Sequence, residues 1–229
     1  MGLELYSQIE QELGFEHEIA KLHREILALV KKQNPRHVID IGCGQGSFLQ
    51  SLKDENIYNL GIDLSQNQIN EAVAKNLNAK CCDIYEVKES FDCATAIFDV
   101  INYIEPLKLE DFFKNVASKL TENGVFIFDV NTKFGFEDIA QGSMILDKNL
   151  KFIAIDAIFD NNTLTTNITV FEKNGDAYQK SQDKITQYFH TKEQIIKSAK
   201  NSGFASVKSA GFKLHSDTLD DKNIWILKK

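Results

Sequence analysis

The chain has 229 residues, enough for one domain with a full core, with or without an insertion. Its charged and hydrophobic fractions, 26% and 43%, are those of an ordinary globular protein, and a net charge of −7 without a long basic run argues against nucleic acid or an anionic membrane as the main partner. No stretch approaches membrane-spanning length, and the N-terminus carries Glu4, Glu10 and Glu12 where a signal peptide would have an apolar core, so a cytoplasmic protein is expected.

Residues 3–33 read as one or two helices, because Ile19, Leu22, Ile26, Leu29 and Val30 recur at helical spacing and Pro35 ends the pattern. His17 and His23 in this segment read as solvated or helix-packing histidines. The four cysteines, Cys43, Cys81, Cys82 and Cys93, form no C-x-x-C pair and lie on or beside predicted core strands. They read as buried free thiols, and no metal site is expected.

His37 to Gly46, His-Val-Ile-Asp-Ile-Gly-Cys-Gly-Gln-Gly, organises the chain. A short buried strand runs into a loop with three glycines, and Ser47-Phe48-Leu49 then opens a helix. A strand, a glycine-rich turn and a helix N-terminus make a nucleotide cradle. The dinucleotide spacing G-x-G-x-x-G would need glycine at position 47, where Ser47 stands, so a nicotinamide-dependent oxidoreductase is disfavoured. The pattern is instead Asp40-x-Gly42-x-Gly44-x-Gly46. An acid two residues before the first glycine would repel a pyrophosphate but suits an amino acid's ammonium group. This stretch resembles motif I of the class I S-adenosylmethionine-dependent methyltransferases. The resemblance implies an α/β fold: a Rossmann-like, seven-stranded, mostly parallel sheet. It also implies S-adenosylmethionine as cofactor, S-adenosylhomocysteine as product, and Asp40, Gly42, Cys43, Gly44 and Gly46 in the cofactor site.

Tyr58 to Asp63 reads as the second strand. An acid at its end can accept hydrogen bonds from both ribose hydroxyls, and Ser65 with Gln68 already supplies the capping box of the next helix. Asp63 is therefore free for the ribose, with Leu64 beside it. A helix at 65–77 leads to a third strand at 79–82. In the resembled family an acid at this point bonds the adenine amino group and the next apolar residue packs on the ring; Asp83 and Ile84 match. Phe91 to Phe98 is the fourth strand, with Phe98 placed at the cofactor. The segment Asp99-Val100-Ile101-Asn102-Tyr103-Ile104 resembles one found in bacterial small-molecule methyltransferases and is expected to face the reactive sulfonium.

A helix over 109–120 precedes a fifth strand at 124–130, whose ending, Asp129-Val130-Asn131, is expected at the rim of the acceptor pocket. The Ile-, Phe-, Thr- and Val-rich runs 150–159 and 164–171, with 181–189, read as a three-stranded antiparallel insertion over 146–190. In resembled sugar-amine methyltransferases such an insertion walls the acceptor pocket. Thr191 with Gln194 caps a helix that Gly203 ends, and 204–212 and 223–228 are the closing strands, the last antiparallel. One domain is expected: N-terminal helices in 1–34, core in 36–135 and 191–229, insertion in 146–190.

The reading is a methyltransferase acting on N or O of a small-molecule acceptor. His190, Asp99 and Tyr103 are candidate bases, and Tyr103, Asn131 and Tyr188 candidate acceptor contacts. Two alternatives stay open: an RNA or protein methyltransferase, and a catalytically silent S-adenosylmethionine-binding regulator. An exposed insertion edge could pair two subunits, so both monomer and homodimer stay open.

Overall fold

The computed structural model describes residues 3–229; Met1 and Gly2, which fall in the expected N-terminal helical segment, lie outside it. Two sheets carry the architecture. The larger has seven strands: β1 (His37–Ile41), β2 (Tyr58–Asp63), β3 (Ala79–Cys81), β4 (Phe91–Ala96), β5 (Leu120–Asn131), β10 (Ser206–Phe212) and β11 (Lys222–Lys228). They lie in the order β10-β11-β5-β4-β1-β2-β3. β1 to β5 run parallel, while β11 is antiparallel to both β5 and β10, as expected. The central strands read as near-continuous apolar runs because helices cover both faces. Phe126, Phe128, Phe113 and Trp225 are each under 2% exposed in this core.

Helices α1 (Leu3–Ser7), α2 (Glu16–Gln33), α3 (Ser47–Asp54), α4 (Gln66–Ala74), α5 (Leu109–Lys119) and α6 (Lys192–Asn201) complete the chain. Both anticipated N-caps form: the Ser65 side chain accepts from the Gln68 N–H, and Thr191 and Gln194 make a reciprocal box. The expected fourth strand stops at Ala96, not Phe98. Phe98 and Asp99 take left-handed backbone, φ 60° and 65°, which cannot continue a pleated strand.

The insertion is larger than its sequence indicated. It is a four-stranded antiparallel sheet, β6 (Gly142–Lys148), β7 (Lys151–Asp160), β8 (Thr163–Asn174) and β9 (Ala177–Tyr188), beginning at Gly142 and not near 146. β6 escaped the sequence reading because it is an edge strand whose residues stay largely in solvent, so it lacks the half-buried alternation that marks a strand. One face of this sheet is apolar: Ile153, Ile168, Val170 and Ile185 pack against Leu5, Ile9 and Leu13. The N-terminal segment and the insertion therefore share one small core, and Lys151 Nζ donates to Glu12 Oε1 at 2.7 Å across the seam. Each fully buried Ile or Leu is worth roughly 1.5–3 kcal/mol, enough to hold the two as a common roof. Among the described residues no helix is long and apolar enough to cross a membrane.

Candidate active site

Under this roof, at the carboxyl edge of β1, β2 and β4, lies a cavity of about 1520 Å³. Ligands bind at this edge of parallel α/β sheets. A single small-ligand site occupies roughly 300–1,000 Å³, so the space suits two molecules side by side. One half is lined by the ends of β1 and β2 and by Cys82 to Ile84. The other is lined by α1, α2, the turn after β4, β9 and the β10–β11 loop.

The glycine loop shapes the first half. Gly42, Gly44 and Gly46 all have positive φ, at 71°, 53° and 81°. A Cβ on Gly42 would stand 2.5 Å from Val100 Cγ2, and one on Gly46 2.5 Å from Leu77 Cδ1. The loop's N–H groups are already engaged: Gly42 and Cys43 donate to Ile62 O at 2.8 and 3.0 Å, and Gly44 to Asp63 Oδ2 at 3.0 Å. A nest that should cradle a phosphate needs those donors free, so the loop does not suit a pyrophosphate.

It does suit S-adenosylmethionine. Asp40 is 3% exposed and accepts from Thr95 Oγ1 at 2.6 Å. Burial pushes its carboxyl from 3.8 up to about 7, only partly offset by that bond, so it lacks a cation and an ammonium group would supply one. Burial also raises Asp63, against hydrogen bonds from the Ser65 and Gly44 N–H groups. Its two oxygens keep lone pairs for hydroxyl donors. Gln68 lines the same half, its Nε2 donating to Glu10 Oε2 at 3.0 Å. Asp83 and Ile84 stand at the far end, Asp83 also capping the short helical turn Ile84–Glu86. Leu64, Cys43 and Phe98 line the same half, whereas Gly46 supports it from outside the wall.

In the second half the turn after β4 is held by charge. Lys222 Nζ, 2% exposed, donates to Asp99 Oδ1 and, at 3.1 Å, to Asp129 Oδ2. Burial disfavours the ammonium, but the two carboxylates outweigh it and raise its pKa. Asp129 also accepts from the Phe98 N–H at 2.7 Å and the Asp99 N–H at 3.4 Å, clasping the two left-handed residues. Asp129 is fully buried, so it shapes the rim from behind. Asn102, at 0% exposure, accepts from Asn131 N at 3.0 Å and donates to Tyr188 O at 2.8 Å, tying β5 to the end of the insertion. Tyr103 and Tyr6 face the cavity; burial, with nearby carboxylates and for Tyr103 also the other phenol, pushes both phenols well above their ordinary value.

The structure does not bring every expected residue to the cavity. His190 is 3% exposed, with Nε2 within 3.1 Å of Ile101 O and Nδ1 unpartnered, and it forms no part of the wall. Its place next to the Thr191 cap turns the ring into the protein instead of over the pocket. Asn131 is likewise buried behind the wall, its backbone bound to Asn102. Asp99 and Tyr188 do line the cavity, with Asp99 already paired to Lys222. His23 also lines it, against Phe48 and Phe98, and burial lowers it to about 4. Lys222 and His215 were not foreseen. Their placement depends on the antiparallel register of β11 on β5, Lys222 opposite Asn131, which no local pattern encodes.

A family model described as a methyltransferase domain matches residues 15–209. A putative methyltransferase of Geobacillus sp. (strain WCH70) is 27% identical over 133 residues, covering 53% of this chain and 54% of the relative. A carboxy-S-adenosyl-L-methionine synthase of Helicobacter pylori (strain J99) is 28% identical over 157 residues, 62% of each. The chain thus spans between about half and three-fifths of the length of these two curated relatives. Among solved structures, an S-adenosylmethionine-dependent methyltransferase from Clostridium acetobutylicum superposes with a TM-score of 0.78 at 21% identity, covering 98% of both chains. A sugar N-methyltransferase from Streptoalloteichus sp. gives 0.75 at 13% identity, covering 99% of this chain and 92% of that one. At these identities the likeness is one of fold.

Proposed function

The chain belongs to the methyltransferase-domain family, within the class I S-adenosylmethionine-dependent methyltransferases, and from that premise we propose that it transfers a methyl group to a nitrogen or oxygen of a small-molecule acceptor. The observation that carries this reading is the cavity: at about 1520 Å³ it has room for cofactor and acceptor together. Leu3 and Tyr6 of α1 and Lys184 to Tyr188 of β9 line it from the roof side.

Bound S-adenosylmethionine supplies an electrophilic methyl on a positively charged sulfur. The chain's residues do the rest. Asp40 would hold the ammonium, Asp63 the ribose, and Asp83 with Ile84 the adenine. Phe98 and the turn after it, fixed by Asp129 and Lys222, set where the donor ends. Tyr103, Tyr188, Tyr6 and the insertion strand would confine the acceptor beside the donor. Positioning of this kind supplies most of the acceleration such a displacement needs.

Titration calorimetry with S-adenosylhomocysteine and with NAD tests the cofactor half; NAD binding without S-adenosylhomocysteine binding would refute it. Mass spectrometry of reactions with a panel of amino sugars, amino acids and hydroxy acids tests the acceptor half, with one methylated class expected.

A further inference from the structure

We propose that His215, oriented by Asp221, is the catalytic base that takes the acceptor's proton during methyl transfer, an assignment that rests on the small-molecule reading above. The two residues lie on the loop between β10 and β11. Lys222, the first residue of β11, pairs with Asn131, the last of β5, so this loop sits at the same carboxyl edge as the cavity, and His215 is part of its wall.

The geometry is that of a directed imidazole. His215 Nδ1 is 2.8 Å from Asp221 Oδ2, and the Asp221 side chain is 1% exposed. A carboxylate only accepts, so Nδ1 carries the hydrogen and Nε2 keeps its lone pair. Asp221 also accepts from the Leu214 N–H at 2.7 Å and the His215 N–H at 3.1 Å. Burial would raise its carboxyl, but the bonds from the His215 ring and these two N–H groups outweigh it and hold it at about 2, ionised throughout the working range. Phe15 stands edge-on to the ring, centroids 6.4 Å apart at 84°, which limits its rotation. Two backbone bonds to Asp221 already close the loop. The imidazole adds a third and leaves Nε2 with no partner among the described residues.

Several other proton acceptors on the cavity wall already have partners. Asp99 is paired with Lys222, Asp40 is held by Thr95, Asp63 by backbone N–H groups, and Glu10 accepts from Gln68 Nε2 at 3.0 Å. His23 is held near 4 and is a weak base. The Tyr6 and Tyr103 phenols stay protonated.

The step balances. The acceptor's lone pair forms the bond to the methyl carbon as the methyl–sulfur bond breaks, leaving that electron pair on sulfur. The proton released from the acceptor's N–H or O–H passes to His215 Nε2. The imidazolium is stabilised by Asp221 and gives the proton to water, since the His215 side chain is 28% exposed.

The test uses the full chain, S-adenosylmethionine and a deproteinised metabolite extract as acceptor source. His215→Gln is expected to bind S-adenosylhomocysteine within about 3-fold of wild type and to lose about 10²–10⁴-fold in kcat. Added imidazole should partly restore turnover in His215→Ala. The nitrogen NMR spectrum of the wild type should show His215, when neutral, protonated at Nδ1 and bare at Nε2. A His215→Gln enzyme retaining wild-type kcat, or a neutral His215 protonated at Nε2, overturns the proposal. A wild-type enzyme that binds S-adenosylhomocysteine but turns over nothing in the extract overturns the small-molecule reading and this proposal with it; an active wild type and an equally active variant overturn this proposal alone.

Discussion

Replacing Asp40 with asparagine should stabilise the empty protein and weaken cofactor binding. Asp40 is 3% exposed and accepts one side-chain bond, from Thr95. Its carboxyl moves from an ordinary 3.8 to about 7 on folding. At ~1.4 kcal/mol per pH unit that difference amounts to ~4 kcal/mol. The sign follows from the direction. A carboxyl raised by folding adds stability that is complete below about 4 and is lost as pH climbs through about 7. The substituted carboxamide is neutral throughout and still accepts from Thr95, but its new amide donors lack a partner, which costs on the order of 1–3 kcal/mol. We expect a net gain of about 1–3 kcal/mol for Asp40→Asn above neutrality, shrinking as pH falls toward 4. Denaturant unfolding of both proteins across that pH range, compared as a difference, separates Asp40 from the other titrating groups. Calorimetry should show S-adenosylhomocysteine affinity falling at least ~10-fold, because a charge-assisted bond to the ammonium is lost. A variant that is less stable at neutral pH, or binds the cofactor product as tightly as wild type, would refute the reasoning.

Asp63→Ala should weaken S-adenosylhomocysteine binding by about 1–3 kcal/mol in a folded protein, measured by calorimetry; unchanged affinity would assign Asp63 to holding Gly44 and Ser65. Gly46→Ala, at φ 81° with Leu77 Cδ1 2.5 Å from the new Cβ, should cost about 1–3 kcal/mol in denaturant unfolding. Lys222→Met leaves Asp129 and Asp99 without their cation and should destabilise by about 3–5 kcal/mol. Because burial already raises Asp129, that deficit should shrink as pH falls and the carboxyls protonate. Ile153→Ala removes a fully buried contact between the insertion and the N-terminal segment, and should cost about 2–4 kcal/mol and speed proteolysis within residues 3–14.

The half of the cavity at the ends of β1 and β2 was legible in the sequence because local chain geometry writes it. Asp40, the three glycines, Asp63 and the Ser65 cap all lie within two consecutive strand–turn–helix units, where spacing dictates position. The amphipathic helices were legible for the same reason, whereas the antiparallel closing strand was expected from the family resemblance. The other half was legible at Asp99, Tyr103 and Tyr188 but not at Lys222 and His215, because it is assembled from distant segments. Lys222 meets Asp129 and Asp99 only through strand pairing across some 90 to 120 residues of chain. His215 reaches the wall only because the β10–β11 loop lands at the edge where β5 ends. Proximity to the insertion's return points to His190 in the pocket, but position along a chain does not say which way a side chain turns next to a helix cap. The edge strand β6 was invisible because burial, which makes a strand readable, acts on it only weakly.

Methyl-labelled S-adenosylmethionine and a whole-cell extract, separated into metabolite, RNA and protein fractions, test the central claim most directly. The account predicts label on a small molecule in the metabolite fraction, together with S-adenosylhomocysteine in equal amount. Label found in RNA or protein, with none in the metabolite fraction, would contradict it.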